Sequence, residues 1–320
     1  MAFSIRPYQA MQDGPAVYHL YQEIFAAFWP IRYEHFRQVI SEHAFYREGD
    51  HFVAEVNGEI AGFAVTQVQR PERLPQGLGG IALLFVAPAW RKRGIGRALH
   101  QAALEHLRLS KMKAVCLGGG GLLRFWPGIP DNLPSTQGFF EKMGWSDFSP
   151  CCDLVRHLSA FEIPASLRQR MDQEGIDLHP AQPDEIPAVL DFENREFTHW
   201  YREFAYKAAL GECNDILAAW DEREGLVGTL MMFSPQSKIL SVNLVWKELL
   251  GLNLGGMGAV GVAQKQRGRG IGLALVNWAS AVLKQRGVGN ALIDWTGLVD
   301  FYAKAGYMPW QRYQTSFREI

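Results

Sequence analysis

Two short segments rich in glycine and arginine carry the residues of this 320-residue sequence that are best suited to bind phosphate. Residues 91–96 read RKRGIG and residues 267–272 read RGRGIG. Each follows a strand-like apolar run and precedes a run with helical spacing. The start of a helix presents unpaired N–H groups and a partial positive charge, and glycine lets a phosphate approach the backbone closely. The pattern R-x-x-G-x-G therefore predicts two sites for a pyrophosphate-containing ligand.

Both loops lie inside an internal repeat. Residues 86–99 and 262–275 are identical at nine of fourteen positions, at an offset of 176. Residues 139–145 and 301–307 form a second related pair at an offset of 162, so the first copy carries 14 extra residues. These fall in Gly118–Gly138, whose glycines and prolines predict a loop. The repeat predicts an N-terminal domain, a linker and a C-terminal domain, with the bounds 1–158, 159–175 and 176–320.

The elements that must position the loops follow the same order in each half. Strand, helices, hairpin, strand, loop and long helix succeed one another, and a further strand and helix close each copy. Asn57-Gly58 between two strand-like runs predicts a hairpin, and Asp13-Gly14-Pro15 predicts a helix start. The fold class is therefore α+β, with two tandem domains that each hold a mixed, mostly antiparallel sheet flanked by helices.

The composition argues against several functional classes. The 32 basic and 33 acidic residues give a net charge of −1, which offers no bulk attraction to nucleic acid or to an anionic membrane. No apolar run approaches the ~18 residues of a membrane span, and the first residues lack the pattern of a signal peptide. The four cysteines have no metal-ligand spacing. We expect a cytoplasmic protein without a metal site, a nucleic-acid partner or a membrane partner.

A nucleotide-dependent oxidoreductase is the disfavoured alternative for such loops. Its fingerprint, G-x-G-x-x-G/A, needs a small third residue and an acidic residue ~20 positions later. Leu99 and Leu275 occupy the third position here. Cys116 stands at the acidic position of the first copy, and only Asp294 in the second copy is acidic near that distance.

On these residues the chain resembles the GNAT superfamily of acetyl-CoA-dependent N-acyltransferases, in its tandem two-domain form. The resemblance rests on the two loops, on the strands before them, and on the aromatic-x-x-x-Gly-aromatic ending of each half. It implies acetyl-CoA as the co-substrate, lying where the two central strands of each domain diverge. The resemblance places contacts with acetyl-CoA at Val86, Arg91, Lys92, Arg93, Gly94, Ile95, Gly96, Arg97, Val262, Arg267, Gly268, Arg269, Gly270, Ile271, Gly272 and Leu273.

The resemblance also implies catalytic roles. Backbone N–H groups near Val86 or Val262 would polarise the thioester carbonyl. Tyr302 matches the tyrosine that family members use as a general acid toward the leaving thiolate, whereas Phe140 at that position of the first half has no proton to give. The C-terminal half is therefore expected to hold the chemistry.

The general base stays open at this point between Asp294 and Glu248. Asp300 stands at a helix start, where capping accounts for it.

The leading hypothesis is transfer of an acetyl group to a primary amine of a small molecule, by direct attack in a ternary complex of a monomer or homodimer. The alternative from another class is that one half, the N-terminal, binds acyl-CoA without catalysis. The aromatic tip of the insert, Phe125-Trp126, is either a substrate cover or buried at the domain interface. Phe28-Trp29 and Trp200-Tyr201 either wall an acceptor pocket or pack in the core.

Overall fold

The computed structural model describes residues 2–43, 46–68, 77–119, 124–238 and 245–320. It contains two compact units. The N-terminal unit comprises Met1–Cys151 together with Gln311–Ile320, and the C-terminal unit comprises Cys152–Trp310. Within the described ranges, no helix combines the length and the apolar character that crossing a membrane requires.

The elements follow one another in two similar series. The strands are β1 (Ser4–Pro7), β2 (Phe52–Val56), β3 (Glu59–Val68), β4 (Leu78–Val86), β5 (Ala114–Leu117), β6 (Ile129–Pro130), β7 (Ser149–His157), β8 (Ile176–Pro180), β9 (Ile216–Asp221), β10 (Gly225–Phe233), β11 (Leu254–Val262), β12 (Asn290–Thr296), β13 (Met308–Thr315) and β14 (Phe317–Glu319). The helices are α1 (Ala10–Phe25), α2 (Tyr33–Ile40), α3 (Ile95–Leu109), α4 (Pro134–Lys142), α5 (Ala165–Glu174), α6 (Ile186–Glu196), α7 (Tyr201–Ala209), α8 (Lys247–Leu250), α9 (Ile271–Gln285) and α10 (Val299–Ala303).

The sheet of the N-terminal unit has the strand order β1-β2-β3-β4-β5-β14. The β4–β5 pair is parallel, and the other neighbours are antiparallel. Helix α3 packs on this sheet because Ile95 and Leu99, four residues apart, lie on one helix face and are buried against Ala61 and Ala64 of β3. The sheet and α3 thus fix the direction in which the first glycine loop points.

The second sheet has eight strands in the order β6-β13-β7-β12-β11-β10-β9-β8, and its run from β7 to β8 repeats the arrangement in the C-terminal unit. Within that run one pair, β11–β12, is again parallel, and the other pairs are antiparallel. Helix α9 is buried on its apolar face, including Ala274, Leu275 and Ala279. The expected α+β class with two mixed, mostly antiparallel sheets is confirmed.

In each sheet, one strand beside the parallel pair comes from the other repeat. In the N-terminal unit β5 pairs with β14, so Phe317 lies opposite Cys116. In the C-terminal unit β12 pairs with β7, so Asn290 lies opposite His157. Residues 152–158 therefore belong to the C-terminal unit and residues 311–320 to the N-terminal unit, whereas the sequence assigned each to its own repeat. Strands β14 and β7 both lie next to the second strand of the parallel pair, and exchange of equivalent elements costs little.

One local prediction, the start of α1, changes in the structure. Helix α1 begins at Ala10, three residues before Asp13-Gly14-Pro15, which the sequence placed at the helix start. The Asp13 carboxylate instead reaches back to accept the backbone N–H of Gln9 at 2.8 Å and pairs with Arg6 at 2.7 Å. The segment 159–175, which the sequence predicts as a linker or a short connecting helix, contains the helix α5, which ends before Gly175 with φ +65°.

The insert of the first repeat is buried at its tip. Residues 120–123, which include two of its four consecutive glycines, lie outside the described residues. Phe125 and Trp126 are 1% and 4% exposed. Phe125 stacks on Tyr21 with ring centroids 5.7 Å apart, and Trp126 packs on Phe25 at 5.4 Å. The aromatic tip is thus part of the core of the N-terminal unit, rather than a cover on its surface.

Candidate functional site

Each unit contains two parallel strands that pair at one end and then separate. The registered pairs of β4 and β5 run from Leu78–Ala114 to Ile81–Leu117, while β4 continues to Val86. The pairs of β11 and β12 end at Met257–Ile293, while β11 continues to Val262. In both units the central strand therefore has an edge beyond the last registered pair, which could accept an extended ligand as an added strand.

A bulge interrupts each central strand just after that point. The β3–β4 register shifts between Val65 and Thr66, and the β10–β11 register shifts between Thr229 and Met231. Ala259 of β11 has φ +50°, an uncommon conformation for a residue with a Cβ. Bulges re-aim backbone groups and gather near functional sites. The backbone N–H groups beside each bulge are therefore candidate oxyanion donors.

The glycine loops that follow the central strands have nearly the same geometry. Gly94 and Gly270 both have φ +89° and immediately precede the first residue of α3 or α9. Arg91 Nε donates to the Val86 carbonyl at 3.0 Å, and Arg267 Nε makes the equivalent bond to Val262 at 3.3 Å. The first arginine of each motif thus ties its loop to the end of the preceding strand by the same hydrogen bond in both units.

The space around the loop glycines fits a phosphate-containing ligand. No atom lies within 4 Å of a Cβ built on Gly94. A Cβ on Gly96 would lie 3.3 Å from the Phe139 ring, and one on Gly272 would lie 3.4 Å from the Phe301 ring. The first loop is thus open at its first glycine, and both loops are tight at the second glycine. Ile95 and Ile271 are buried, so these two could contact a ligand only through the backbone.

The arginines of the two loops are in different surroundings. Arg93 stacks over Trp90 at 4.9 Å from the ring centroid. Its counterpart Arg269 is committed to two carboxylates, Glu174 at 2.8 Å and Asp221 at 2.7 Å. These pairs raise the pKa of the Arg269 guanidinium. Arg269 therefore anchors its loop to α5 and β9. Because the two carboxylates balance its charge, it would attract an anionic ligand less strongly than the sequence suggested.

A residue outside the repeat also reaches the second loop. Arg170 of α5 donates to the Gly268 carbonyl at 3.1 Å, and its guanidinium carbon lies 3.0 Å from a Cβ built on Gly270. Repeat matching could not have found Arg170, because α5 belongs to the connecting segment.

The remaining predicted contact residues line the same loops. The side chains of Lys92 and Arg97 are exposed, and Leu273 is half-buried on the core of the C-terminal unit. Lys92 has φ +60°, where the second copy has Gly268 at φ +88°. The first loop thus carries more exposed cationic side chains, and the second has the less strained backbone.

Tyr302 lies in α10 of the C-terminal unit and is 7% exposed. Burial, and then the nearby charge of Asp294, raise the pKa of its hydroxyl to about 12. Asp294 lies across the strand opening, with Oδ1 3.7 Å from a Cβ built on Gly258. A tyrosine that keeps its proton at neutral pH can act as a proton donor.

The candidate bases are placed differently. Asp294 is half-buried beside the opening and acts on Tyr302 through its charge. Glu248 is exposed on the short helix α8, and Asp300 lies in the first turn of α10. Of these candidates, Asp294 is the one placed at the strand opening.

The corresponding part of the N-terminal unit has no proton donor at the tyrosine position. Phe140 is buried and packs on His100 and Trp145, at 6.1 and 6.2 Å between ring centroids. Trp145 Nε1 donates to His100 Nε2 at 2.9 Å, and burial lowers the pKa of His100 to about 4. His100 is therefore a neutral core acceptor.

A buried carboxyl group that the sequence analysis missed lies on α6. Glu193 is fully buried, and the Thr229 hydroxyl donates to its Oε1. Burial, with a smaller effect of Glu203, raises the pKa of Glu193 to about 8. The available signal was helical spacing, because Val189 and Phe192 place Glu193 on the apolar face of α6.

Comparison with known proteins gives consistent matches. The profile of the acetyltransferase (GNAT) family matches residues 14–145 and 184–307. Mycothiol acetyltransferase of Mycobacteroides abscessus is 27% identical over 222 residues, which are 69% of this chain and 67% of that protein.

Two solved structures resemble the whole chain. One is described as a glucosamine N-acetyltransferase region in a fungal multi-domain GH3 β-N-acetylglucosaminidase. The match has a TM-score of 0.92 at 33% identity and covers 99% of this chain. It covers 38% of the fungal chain, so the present chain spans well under half the length of that protein. A GCN5-related N-acetyltransferase from Sphaerobacter thermophilus has a TM-score of 0.69 at 21% identity, covering 99% and 95% of the two chains. The second likeness shows the fold alone.

Proposed function

The chain belongs to the acetyltransferase (GNAT) family, and from this premise we propose that it transfers an acetyl group from acetyl-CoA to a primary amine of a small molecule, with turnover in the C-terminal unit. The observation that carries the assignment to this unit is the contrast between Tyr302 and Phe140. Only the C-terminal unit holds a tyrosine at that position.

Both loops fit the phosphates of acetyl-CoA, which would supply the activated acetyl group when bound. Backbone N–H groups of Gly94–Gly96 and Gly270–Gly272 would receive the pyrophosphate, and Arg170 would add a positive charge beside the second loop. In the C-terminal unit Tyr302 would donate its proton to the departing sulfur. The N-terminal unit would bind acetyl-CoA without turning it over.

An amino sugar is the acceptor class that the comparisons favour. The structure at 33% identity, aligned over nearly the whole chain, is described as a glucosamine N-acetyltransferase region. We therefore infer that a glucosamine-like primary amine is the acceptor to test first. Polyamines and amino acids are the alternatives in the same assay.

Release of free thiol from acetyl-CoA in the presence of each amine tests this function. Tyr302→Phe should lower kcat by about 100-fold, the lower end of the range for a general acid. Tyr307→Phe is the matched control, because its hydroxyl bonds Ser280 at 2.8 Å inside the core. That variant should lose about 1 kcal/mol of stability and keep its turnover. Unchanged kcat in Tyr302→Phe would show that another group supplies the proton.

A further inference from the structure

Glu193 is a buried acid whose hydrogen bonding is incomplete. Its Oε1 accepts the hydroxyl of Thr229, and its Oε2, equally buried, has no hydrogen-bond partner among the residues that the structure describes. Burying a carboxyl group without full compensation costs free energy. Such groups are rare in native proteins and call for an explanation.

The surroundings of Glu193 supply no cation. In the described part of the chain no lysine, arginine or histidine pairs with it, and the charged group that acts on it is Glu203 of α7, which disfavours its ionised form. Strand β10 contributes Thr229 to this environment. The neighbouring strand β11 presents Gly261, whose built Cβ would lie 2.5 Å from the Phe197 ring.

This carboxyl group lies close to the strand that leads into the second loop. Thr229 is registered opposite Gly261, the residue before Val262, and the Val262 carbonyl holds Arg267. A Cβ on Gly228 would meet Leu275 of α9 at 3.1 Å. Since successive residues of a strand face opposite sides, Thr229 and Glu193 lie on the sheet face away from α9.

The N-terminal unit shows that the fold does not require an acid here. Gly62 is registered opposite Val86 as Gly228 is opposite Val262, so Phe63 and Phe85 stand where the C-terminal unit has Thr229 and Gly261. Tyr21 of α1 contacts this pair, with its ring centroid 6.4 Å from the ring centroid of Phe85. An aromatic cluster thus fills the space that holds the Glu193–Thr229 pair in the other unit.

We propose that Glu193, held by Thr229, binds the ammonium group of the acceptor and takes one of its protons, which makes the C-terminal unit selective for cationic primary amines. An incoming ammonium group would satisfy Oε2 and supply the positive charge that the apo site lacks. The inference rests on the proposed function and specifies the acceptor side of the same site. It adds Glu193 to Asp294 as a group that can receive a proton.

The proton transfers balance. One N–H bond of the ammonium breaks as an O–H bond forms on Oε2, and the neutral nitrogen then attacks the thioester carbon. As the C–N bond forms and the C–S bond breaks, the nitrogen loses its second proton. That proton replaces the one that Tyr302 gives to the sulfur. Glu193 then returns its proton to solvent, so each turnover releases one proton.

Glu193→Gln tests the proposal, because glutamine keeps the shape and the Thr229 bond but cannot take a proton. Asp191→Asn is the matched control on the same helix, since Asp191 is 72% exposed and pairs with Arg195. The acceptor is the amine that gives the fastest thiol release with wild type. We expect kcat/KM for that amine to fall at least about 100-fold in Glu193→Gln, with the affinity for acetyl-CoA, measured by calorimetry, changed less than about twofold.

The pH profile separates proton transfer from a structural role. The ratio of wild-type to Glu193→Gln kcat/KM cancels the titration of the amine itself. It should rise with pH, because the ionised carboxylate is the active form, and level off above its pKa. The melting temperature of each variant reports whether it has folded. Thr229→Val, which removes the bond to Oε1, should lower kcat/KM less than Glu193→Gln does.

A flat ratio, or Glu193→Gln turnover within about threefold of wild type, would overturn this inference and leave the proposed function intact. Absence of any amine turnover by wild type, with acetyl-CoA bound, would overturn both.

Discussion

The two units use one framework and fill it with different side chains. Around the central strand, the N-terminal unit has Tyr21, Phe63 and Phe85, which pack on one another. The C-terminal unit has Thr229 and Gly261 where the N-terminal unit has Phe63 and Phe85, and Glu193 of α6 accepts the Thr229 hydroxyl. The first set is apolar and close-packed, and the second contains a buried acid and a glycine.

The difference extends to the end of each repeat. Near the end of the first repeat, Phe140 packs on the neutral His100 of α3 inside the core. The second ends in Tyr302 beside Asp294. The two units thus share the geometry of the glycine loop, while Tyr302 and Asp294 belong to one unit. Under the proposed function, the loop that binds acetyl-CoA and the residues that exchange protons would be separable within one repeated fold.

The largest effect should come from placing a negative charge in each loop. Gly272→Glu puts a carboxylate at the second loop and should lower turnover by about 1000-fold, because like charges brought together cost several kcal/mol. Gly96→Glu makes the same change in the first loop and should remove one acetyl-CoA site while leaving turnover nearly unchanged. Calorimetric stoichiometry and thiol release check both variants. Loss of turnover in Gly96→Glu alone would reverse the roles of the units.

The next largest effect should come from opening the aromatic core of the N-terminal unit. Phe125→Ala removes a fully buried ring and should cost about 3–5 kcal/mol in the free energy of unfolding. Phe28→Ala is the control, because Phe28 is 57% exposed and surface changes stay within about 0.5 kcal/mol. Urea unfolding followed by circular dichroism measures both. Equal stabilities would show that the tip of the insert does not support the core.

A smaller effect concerns how the free energy of unfolding depends on pH, which should differ between variants of Glu193 and Tyr21. The pKa of Glu193 is raised from 4.5 to about 8 in the folded state. Between these values the folded state binds more protons than the unfolded state, so this group lowers stability as pH rises, by up to about 1.4 kcal/mol per pH unit. Relative to wild type, the free energy of unfolding of Glu193→Gln should therefore increase between about pH 5 and about pH 8.

Tyr21→Phe provides the comparison in the other unit. Burial raises the pKa of Tyr21 well above its ordinary value of 10, so its stability difference from wild type should stay constant over the same pH range. Urea midpoints at several pH values measure both variants. A constant difference for Glu193→Gln would contradict the raised pKa.

The smallest effect concerns the backbone of the two loops. Lys92 has φ +60° where the second loop has Gly268 at φ +88°, and a side chain in this region costs about 1 kcal/mol. Lys92→Gly should therefore raise the free energy of unfolding, by less than that amount because glycine also loosens the unfolded chain. Gly268→Ala should lower it by about 1 kcal/mol. Changes of the opposite sign in thermal unfolding would show that the loops differ in conformation.

The sequence by itself determined the repeat, the two glycine-rich loops and the α+β class. These features are local, since a glycine at a helix start and an apolar strand before it are read from neighbouring residues. The loop glycines at 94 and 270 have the positive φ that their residue type permits. The position of Tyr302 against Phe140 also followed from alignment of the repeats alone.

Only the tertiary structure decided which sheet β7 and β14 join and which side chains meet across elements. β7 pairs with β12 and β14 pairs with β5, so each lies beside a strand of the other repeat. Glu193 and Thr229 are 36 residues apart, and the Arg269–Glu174 pair spans 95. Their meeting depends on the register of strands and on helix packing, which act between residues far apart in sequence.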